Sequence, residues 1–348
     1  MTNSAEKDSI HVPVLLQEVI DLLSPDSNGV YVDGTLGGGG HTEAIVKKIQ
    51  KIQEVRQVQD VQNVLEMGCG NDRAGMVIAM DRDLAAINQT EKRLRLMFAD
   101  EKNDPSSTLN TLNPKDSKLP IRFAHANYRH FDEVLDLLKI EKIDGFLLDL
   151  GLSSDQLADR ERGFSFDSSG QLDLRFDTTE GETASELLER LKENEIADII
   201  YQFGEERYSR RIARAIVERR KAGQPVRTAD ELAGLVRSRV PREQRTNKKG
   251  RSANLDPATR TFQALRIAVN DELGSLKSVL KKAPDRLKPN GVMIVISFHS
   301  LEDRIVKNAF RDDPRWEIVT KKPVIPTETE IEQNPRARSA KLRAARKK

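Results

Sequence analysis

A glycine-rich stretch near the amino terminus is the first feature with chemical potential. Residues 33–42 read Asp-Gly-Thr-Leu-Gly-Gly-Gly-Gly-His-Thr. Glycines let a backbone approach a ligand closely, and the first N–H groups of a helix attract polar or anionic groups. A second acid, Asp81, ends another apolar run, where its carboxylate could accept both hydroxyl hydrogens of a ribose. Together these residues predict a site for an adenosine-bearing cofactor.

The cofactor's identity stays open at this point between a nicotinamide dinucleotide and S-adenosylmethionine. A phosphate-gripping loop is not favoured, because no Lys-Ser or Lys-Thr pair follows the glycines. Residues 64–70 form a rival glycine loop, but only fifteen positions separate Glu66 from Asp81. A turn, a crossover helix and a strand need more chain than that. We therefore assign the ligand loop to residues 33–42.

A scaffold of alternating apolar patterns must position these residues. Strands are predicted at 30–33, 76–80, 121–124 and 143–150. Helical spacing lies between them, including one long helix from Thr42 into the sixties. This alternation is typical of an α/β domain with a parallel sheet, whose ligands lie beyond the carboxyl ends of the strands. Asp149, near the end of the fourth strand, is therefore a further site candidate.

The strand pattern stops after residue 156 and resumes near 256, with a fifth strand predicted at 292–298. Within the gap, capping-box sequences that begin at Thr183 and Thr228 each predict a helix start. We predict three regions: a discontinuous α/β domain of 1–156 and 256–325, an inserted helical domain of 157–255, and a basic C-terminal tail of 326–348.

Charge is unevenly distributed in this chain of 348 residues, whose net charge is only +2. Residues 204–252 contain fifteen Lys or Arg against six Asp or Glu, and residues 333–348 contain seven Lys or Arg and no acid. Such concentrations favour a polyanionic partner, with nucleic acid as the first candidate. A solvated helix face and a frayed tail would produce the same composition.

Two groups of basic residues in the first region are predicted to face nucleic acid. The helical spacing of the first group places it on one face, and the second group falls in a loop. The groups are Arg207, Arg210, Arg211 and Arg214, and then Arg242, Arg245, Lys248, Lys249 and Arg251. Ion pairing of the first group with Glu205, Glu206 and Glu218 is the alternative.

Composition excludes several classes of protein. The single cysteine, Cys69, cannot form an internal disulfide, and no run approaches the ~18 apolar residues of a spanning helix. The first residues lack the pattern of a secretory signal, so a cytoplasmic, membrane-free setting is expected. The five histidines lack metal-site spacing, so we expect no structural metal and leave a Mg²⁺ carried by RNA open. His299 either lines the ligand cleft or caps the following helix.

Nine sequence blocks in one order resemble the MraW family, the group of ribosomal RNA small subunit methyltransferases H. They occupy residues 11–15, 33–42, 79–83, 147–154, 162–166, 204–207, 259–266, 297–304 and 334–339. Roughly 50–75 and 99–118 depart from the family pattern and look like insertions. The resemblance implies a Rossmann-like class I methyltransferase sheet with an inserted all-helical domain. It also implies S-adenosylmethionine as methyl donor, and N4 of a cytidine in the decoding centre of 16S rRNA, within the small ribosomal subunit, as target.

The resemblance also implies a set of cofactor-binding residues. Asp81 would hold the ribose, Tyr128 would pack near the adenine, and Asp149 and Gln156 would close the pocket. Gly39, Gly40 and His41 would lie along the amino-acid end. Only for Asp81 and Asp149 does position at a strand end support the role independently. Tyr128 and Gln156 would otherwise be interpreted as a rim aromatic and a surface amide.

Asp149 is also the preferred acceptor for a hydrogen of the target amine, whose lone pair is conjugated into the ring. Many amino-methyltransferases carry two prolines and an aromatic residue after this acid, but here Leu150, Gly151 and Leu152 follow. Phe164 and Phe166 are therefore candidates for stacking on the target base, with packing between the two domains as the alternative.

Three other functions stay open from the sequence. They are methylation of a DNA base, nicotinamide-dependent dehydrogenation, and a non-catalytic role in ribosome assembly. The oligomeric state is open as well.

Overall fold

The computed structural model describes residues 12–63, 75–98, 119–166, 168–241 and 256–348. The chain divides into two compact units. The first unit comprises Met1–Gly151 and Ser275–Lys348, and the second comprises Leu152–Gly274. The rival glycine loop at 64–70, the insertion at 99–118 and the basic loop residues at 242–251 lie outside the described residues.

A seven-stranded sheet forms the centre of the described part of the first unit. Its strands in chain order are β1 Val30–Asp33, β2 Met76–Asp81, β3 Ile121–His125, β4 Ile143–Asp149, β5 Leu287–Ser297, β6 Trp316–Ile318 and β7 Lys341–Lys347. Across the sheet they run β3-β2-β1-β4-β5-β7-β6, with β1 to β5 parallel and β7 antiparallel to both neighbours. The strand order reverses between β1 and β4, which is where open α/β sheets bind ligands.

The helices of the described residues are divided between the two units. In chain order they are α1 Leu16–Leu23, α2 Gly40–Asn63, α3 Leu84–Phe98, α4 Phe131–Leu137, α5 Ser154–Ala158, α6 Ala184–Arg190, α7 Glu193–Gly204, α8 Ser209–Lys221, α9 Ala229–Arg239, α10 Thr259–Asn270, α11 Glu272–Arg286, α12 Ser300–Asp312 and α13 Glu328–Gln333. None of those described combines the length and apolar character that crossing a bilayer requires.

The central strands are buried on both faces. Val77 and Ala79 of β2 enter one apolar core, and Ile78 and Met80 enter another. Successive side chains of a strand point to opposite faces, and a parallel sheet is normally covered on both. This explains why its strands appear in the sequence as continuous apolar runs.

The predicted α/β fold is confirmed. β1 has the predicted bounds, and β2, β3 and β4 each differ from prediction by one residue at one end. The long helix is α2, which ends at Asn63. The fifth predicted strand, 292–298, corresponds to β5, which already begins at Leu287.

The predicted basic tail differs most from the structure. Residues 341–347 form β7, which pairs with β5 on one side and β6 on the other. Leu342 and Ala344 are buried in a core of the first unit. The basic residue between them, Arg343, is compensated, since it donates to Asp303 at 2.6 Å. The sequence did not reveal this strand, because its buried apolar residues are mostly alanines and lie among basic residues that indicate a tail.

The second unit is built from helices around one apolar core. That core includes Ile196 of α7, Ile212 of α8, and Phe262 and Leu265 of α10. The unit therefore extends to Gly274, beyond the predicted boundary at 255, because the buried face of α10 belongs to this core.

The two predicted helix starts in the second unit differ in detail. Thr183 caps α6 in a capping box, with its hydroxyl accepting from the Glu186 N–H at 3.2 Å. Thr228 also precedes its helix, α9, but its hydroxyl donates to the carboxylate of Asp230 and caps no N–H group. Both helices begin where the sequence predicts, although only one uses the expected hydrogen bonds.

A chain that ends at Ala340 should lose stability strongly, because β5 loses one of its two neighbours, β6 loses its partner and Leu342 leaves the core. We expect a loss of more than about 3 kcal/mol in unfolding free energy, measured by urea denaturation. The control is Arg346→Ala, which removes only an exposed pair with Glu317 and should change stability by less than about 0.5 kcal/mol. An unchanged midpoint for the shortened chain would contradict the role of β7.

Candidate active site at the strand ends

Three acids end three adjacent parallel strands of the first unit. Asp33, Asp81 and Asp149 are the last residues of β1, β2 and β4. The register places Asp33 opposite Ala79 and Leu147, so Asp81 and Asp149 lie two residues beyond the end of β1. Side chains from three parts of the chain therefore meet where the strand order reverses, as the sequence predicts.

Asp81 ties the end of β2 to the glycine loop that follows β1. Its Oδ2 accepts from the Gly37 N–H at 2.8 Å, and its Oδ1 accepts from the Asp83 N–H at 2.9 Å. Burial raises the pKa of Asp81 to about 6, although the two N–H donors act in the opposite direction. Each carboxylate oxygen has a second lone pair, so Asp81 can still accept the two hydroxyl hydrogens of a ribose.

The glycine loop packs tightly against α3. Gly39 has a φ of 76°, and a Cβ there would lie 2.4 Å from Cγ2 of Thr90. The Thr90 hydroxyl donates to the Gly37 carbonyl at 2.8 Å, and Arg93 donates to the Gly38 carbonyl at 2.8 Å. The loop therefore needs glycine at 39 for both its backbone conformation and its close approach to α3.

Asp33 shapes the turn from β1 into α2. It is 1% exposed, and its Oδ2 accepts from the Thr42 hydroxyl at 2.7 Å while its Oδ1 accepts from the Thr35 N–H at 3.1 Å. Burial raises the pKa of Asp33, and these hydrogen bonds oppose the shift. Asp33 is therefore occupied with holding the loop.

Asp149 is only partly engaged. Its backbone N–H donates to Oγ1 of Thr35 at 2.6 Å, but its side-chain Oδ1 is buried without a hydrogen-bond partner among the described residues. Burial raises the pKa of Asp149 to about 8; Asp33 adds to the rise and the charge of Arg336 opposes it. An unsatisfied buried polar atom costs about 1–3 kcal/mol, so this oxygen is well placed to accept from a ligand.

His41 lies beside Asp149 in an uncharged form. It is 5% exposed, and its Nε2 is 3.0 Å from the Val14 carbonyl. Because a carbonyl only accepts, Nε2 must carry the hydrogen, and the lone pair of Nδ1 faces Oδ2 of Asp149 at 3.7 Å. Burial lowers the pKa of His41 to about 4, so this contact is not an ion pair at neutral pH.

Tyr128 reaches the same edge of the sheet from β3. It begins a short 3-10 turn capped by Asn127, whose Oδ1 accepts from the Arg129 N–H at 3.1 Å. A Cβ on Gly34 would lie 3.1 Å from Cβ of Tyr128. The half-buried tyrosine thus lies beside the first glycine of the loop.

Gln156 and the two candidate stacking residues belong to the second unit. The Oε1 of Gln156 accepts from the Ser153 N–H at 3.1 Å, at the start of α5. Phe164 is 5% exposed and stacks on Phe176 at 5.9 Å between ring centroids, while Phe166 packs edge-on against Phe262. Both rings therefore pack against residues of the second unit. This arrangement differs from the predicted one, in which they stack on a target base.

The first group of predicted RNA-binding arginines is exposed. Its members are Arg207, Arg210, Arg211 and Arg214. Arg210 pairs with Asp198 at 2.9 Å, and Arg214 lies 3.7 Å from Glu193. These acids are on α7 and differ from those considered from the sequence. Exposed pairs are worth only about 0–1 kcal/mol, so they leave the arginines available to a stronger partner.

His299 caps α12, as the alternative interpretation held. Its Nδ1 accepts from the Glu302 N–H at 3.4 Å, and a Glu302 oxygen accepts from the His299 N–H at 3.3 Å.

Two contributors to the site were missed from the sequence. Thr35 was part of the predicted loop but received no role, although it holds the backbone of Asp149. Arg336 was counted in the basic tail and in the block 334–339 that resembles the family but received no role, although its charge lowers the pKa of Asp149. Neither signal indicated where the segment packs.

The chain is similar to known proteins along nearly its whole length. The MraW methylase family matches residues 8–69 and 70–348. A Ribosomal RNA small subunit methyltransferase H from Rhodopirellula baltica is 44% identical over 345 residues, covering 99% of this chain and 93% of the relative. The one from Sorangium cellulosum is 44% identical, with 97% and 90% covered. A solved putative methyltransferase from Streptococcus mutans, in complex with SAH, is 10% identical to this chain, with a TM-score of 0.40. The match covers 97% of this chain and 99% of that structure.

Replacing Gly39 by alanine should destabilise the chain more than the same change at a left-handed glycine in open space. The control is Gly223→Ala, whose φ is 75° and whose Cβ would meet nothing within 4 Å. We expect Gly39→Ala to cost about 1–3 kcal/mol more than the control in urea unfolding. Adding Thr90→Ser, which removes the clashing methyl group, should restore part of that difference. Equal losses for the two glycines would show that the loop tolerates a side chain.

The raised pKa of Asp149 predicts a pH-dependent stability. Between about pH 4 and 8 the folded chain retains a proton that the unfolded chain has released, so this group's stabilising contribution is lost as the pH rises towards 8. Asp149→Asn removes this loss, so its melting temperature relative to the parent chain should increase from pH 5 to pH 9, by at least about 2 °C. The exposed Asp312→Asn should show no such increase. A difference that stays flat with pH would contradict the shift.

Proposed function

The chain belongs to the MraW methylase family, and on that premise we propose that it uses S-adenosylmethionine to methylate N4 of a cytidine in the decoding centre of 16S rRNA. Methylation of small-subunit rRNA is supported by the names of its relatives. The choice of an exocyclic amine is supported by one observation above all: Oδ1 of Asp149 is buried and has no hydrogen-bond partner within the part of the chain that the structure describes.

The described residues fit such a cofactor. When bound, S-adenosylmethionine supplies a methyl group on a positively charged sulfur. Gly39 permits close approach of the backbone, and Asp81 has lone pairs free for a ribose. In the proposal, Asp81 holds the ribose, Tyr128 lies near the adenine, Gln156 and Asp149 close the pocket, and Gly39, Gly40 and His41 lie along the amino-acid end.

Asp149 is the proposed acceptor for the amine. A cytosine amine has two N–H donors, and its lone pair is delocalised into the ring. Oδ1 of Asp149 can accept one hydrogen, which concentrates electron density on N4. As N4 acquires the methyl group that the bound cofactor would supply, Asp149 would take the proton released from N4. Alignment of the reacting atoms supplies the other large part of the rate.

The protonation state of Asp149 suits this role. A pKa near 8 means that the carboxyl group is largely protonated at neutral pH in the unloaded protein. A positive charge beside it favours the ionised form, so loading the site should release the proton before the amine arrives. A carboxylate with a pKa close to the working pH is also an effective proton acceptor.

His41 is proposed to position Asp149. Its Nδ1 lone pair points at Oδ2 of Asp149 from 3.7 Å, and the Val14 carbonyl fixes the ring's tautomer. When Oδ2 carries a proton, a small movement would let it donate to Nδ1. This contact would orient the Asp149 carboxyl group in the unloaded protein, before its proton is released.

Binding of RNA is proposed to rest on exposed basic residues, since phosphate contacts supply much of the affinity for nucleic acids. N4 is inaccessible inside paired RNA, so the target base must be unpaired or leave its stack. The partner is then 16S rRNA within the small ribosomal subunit, in the cytoplasm. The proposed contacts are Arg207, Arg210, Arg211 and Arg214, together with Arg242, Arg245, Lys248, Lys249 and Arg251 of the undescribed segment.

Methylation of small ribosomal subunits tests the proposal. Subunits from cells lacking this gene are incubated with the chain and labelled S-adenosylmethionine, and their rRNA is digested for mass spectrometry. We expect one N4-methylcytidine, and a fall in kcat of at least about 100-fold for Asp149→Asn, because proton acceptors typically contribute 10²–10⁴. Asp312→Asn is the matched control and should retain full activity.

Other outcomes would sink the proposal. Label on duplex DNA alone would indicate a DNA methyltransferase, and saturable binding of a nicotinamide dinucleotide alone would indicate a dehydrogenase. An unmethylated subunit, together with full cellular function of Asp149→Asn, would indicate a non-catalytic role in ribosome assembly.

A further inference from the structure

A cavity in the first unit lies at the carboxyl end of β5. Its volume is about 350 Å³, and its lining includes Phe298, Ile325, Pro326, Ile331, Arg338 and Lys341. We propose that it binds one nucleotide of single-stranded RNA next to the modified cytidine, with the phosphate on the two basic residues and the base against the apolar wall. The inference rests on the proposed function and names a further contact with the same substrate.

The basic side of the cavity carries positive charge that its surroundings leave largely uncompensated. Arg338 is exposed and makes no ion pair with any residue that the structure describes. Lys341 lies 3.7 Å from Asp303, but Asp303 also accepts from Arg343 at 2.6 Å and is shared between two cations. Both basic residues can therefore approach a phosphate.

The opposite wall is apolar, which a site for a bare anion would not need. Ile325 is 64% exposed, an unusual position for a large aliphatic side chain, and Pro326, Ile331 and Phe298 continue the surface. The planar face of a base can cover such a surface while its edges stay hydrated. The volume is near the lower limit of the ~300–1,000 Å³ typical of ligand pockets, which suits one nucleotide.

The strand that leads into the cavity, β5, pairs with β4, which ends at Asp149. Leu150 donates its N–H to the carbonyl of Ile296 at 2.9 Å, so β4 and β5 stay paired beyond Asp149. A Cβ on Gly151 would lie 3.0 Å from the ring of Phe298, which also lines the cavity. Phe298 thus joins the cavity lining to the segment that directly follows Asp149. Enzymes that take a base out of its stack commonly read the flanking nucleotides as well.

The test measures binding of a fluorescein-labelled single-stranded RNA dodecamer with a central cytidine, by anisotropy over a range of salt concentrations. We expect Arg338→Ala to raise Kd about tenfold and to reduce the slope of log K against log salt by about 0.7, the value for one phosphate contact on a single strand. Ile325→Asp should raise Kd as well. The matched control is Arg311→Ala on α12, whose guanidinium pairs with Asp312 at 2.7 Å, and it should leave both quantities unchanged.

Four measurements decide the interpretation. An unchanged Kd and an unchanged salt slope for binding of the dodecamer by Arg338→Ala would overturn the inference. The inference would also be wrong if Arg338→Ala bound free cytidine monophosphate more weakly than the parent chain but bound the dodecamer equally well. The unfolding midpoint should match that of the parent chain, because Arg338 is exposed. Methylation of small subunits by the parent chain is measured in parallel. If it occurs while Arg338→Ala behaves as the parent, only the nucleotide site fails; if it is absent while Arg338→Ala weakens RNA binding, only the proposed function fails.

Discussion

The hydrogen bond from the Gly37 N–H to Asp81 fixes the geometry on which the candidate site depends. It joins the end of β2 to the loop after β1, at the edge where the strand order reverses. Thr90 and Arg93 hold the same loop against α3 through the carbonyls of Gly37 and Gly38. Asp33 reinforces the same loop from inside through Thr35 and Thr42. Hydrogen bonds to Asp33 and Asp81 thus fix the conformation of the glycine loop.

Three carboxyl groups near one another in a poorly hydrated place repel one another and resist ionisation. The structure distributes this cost unequally. Asp33 and Asp81 receive hydrogen bonds that stabilise their charge, whereas Oδ1 of Asp149 receives none from the described residues. The pKa of Asp149, about 8, is accordingly above that of Asp81, about 6. The acid that the scaffold leaves unsatisfied is the one best suited to a ligand. The unsatisfied Oδ1 of Asp149 lowers the stability of the folded chain, and the same oxygen is the one available to a ligand.

The parallel part of the sheet could be predicted from the sequence because its strands are buried on both faces and stand out as apolar runs. The same argument placed Asp81 and Asp149 at strand ends. The strand β7 could not be predicted, since Ala344 and Ala345 carry its burial among basic residues, and a charge count indicates a tail. The contact between His41 and Asp149 could not be predicted either, because it depends on a ring orientation set by the distant carbonyl of Val14.

The position of β7 in the sheet has a consequence for synthesis of the chain. Until residues 341–347 leave the ribosome, β5 presents a bare hydrogen-bonding edge, the kind of surface that recruits foreign strands. The second unit is a continuous stretch, Leu152–Gly274, and can form its core while the first unit still waits for its final strand. Before residues 341–347 emerge, the nascent chain therefore combines a folded second unit with an incomplete sheet. The unpaired edge of β5 makes this state prone to aggregation.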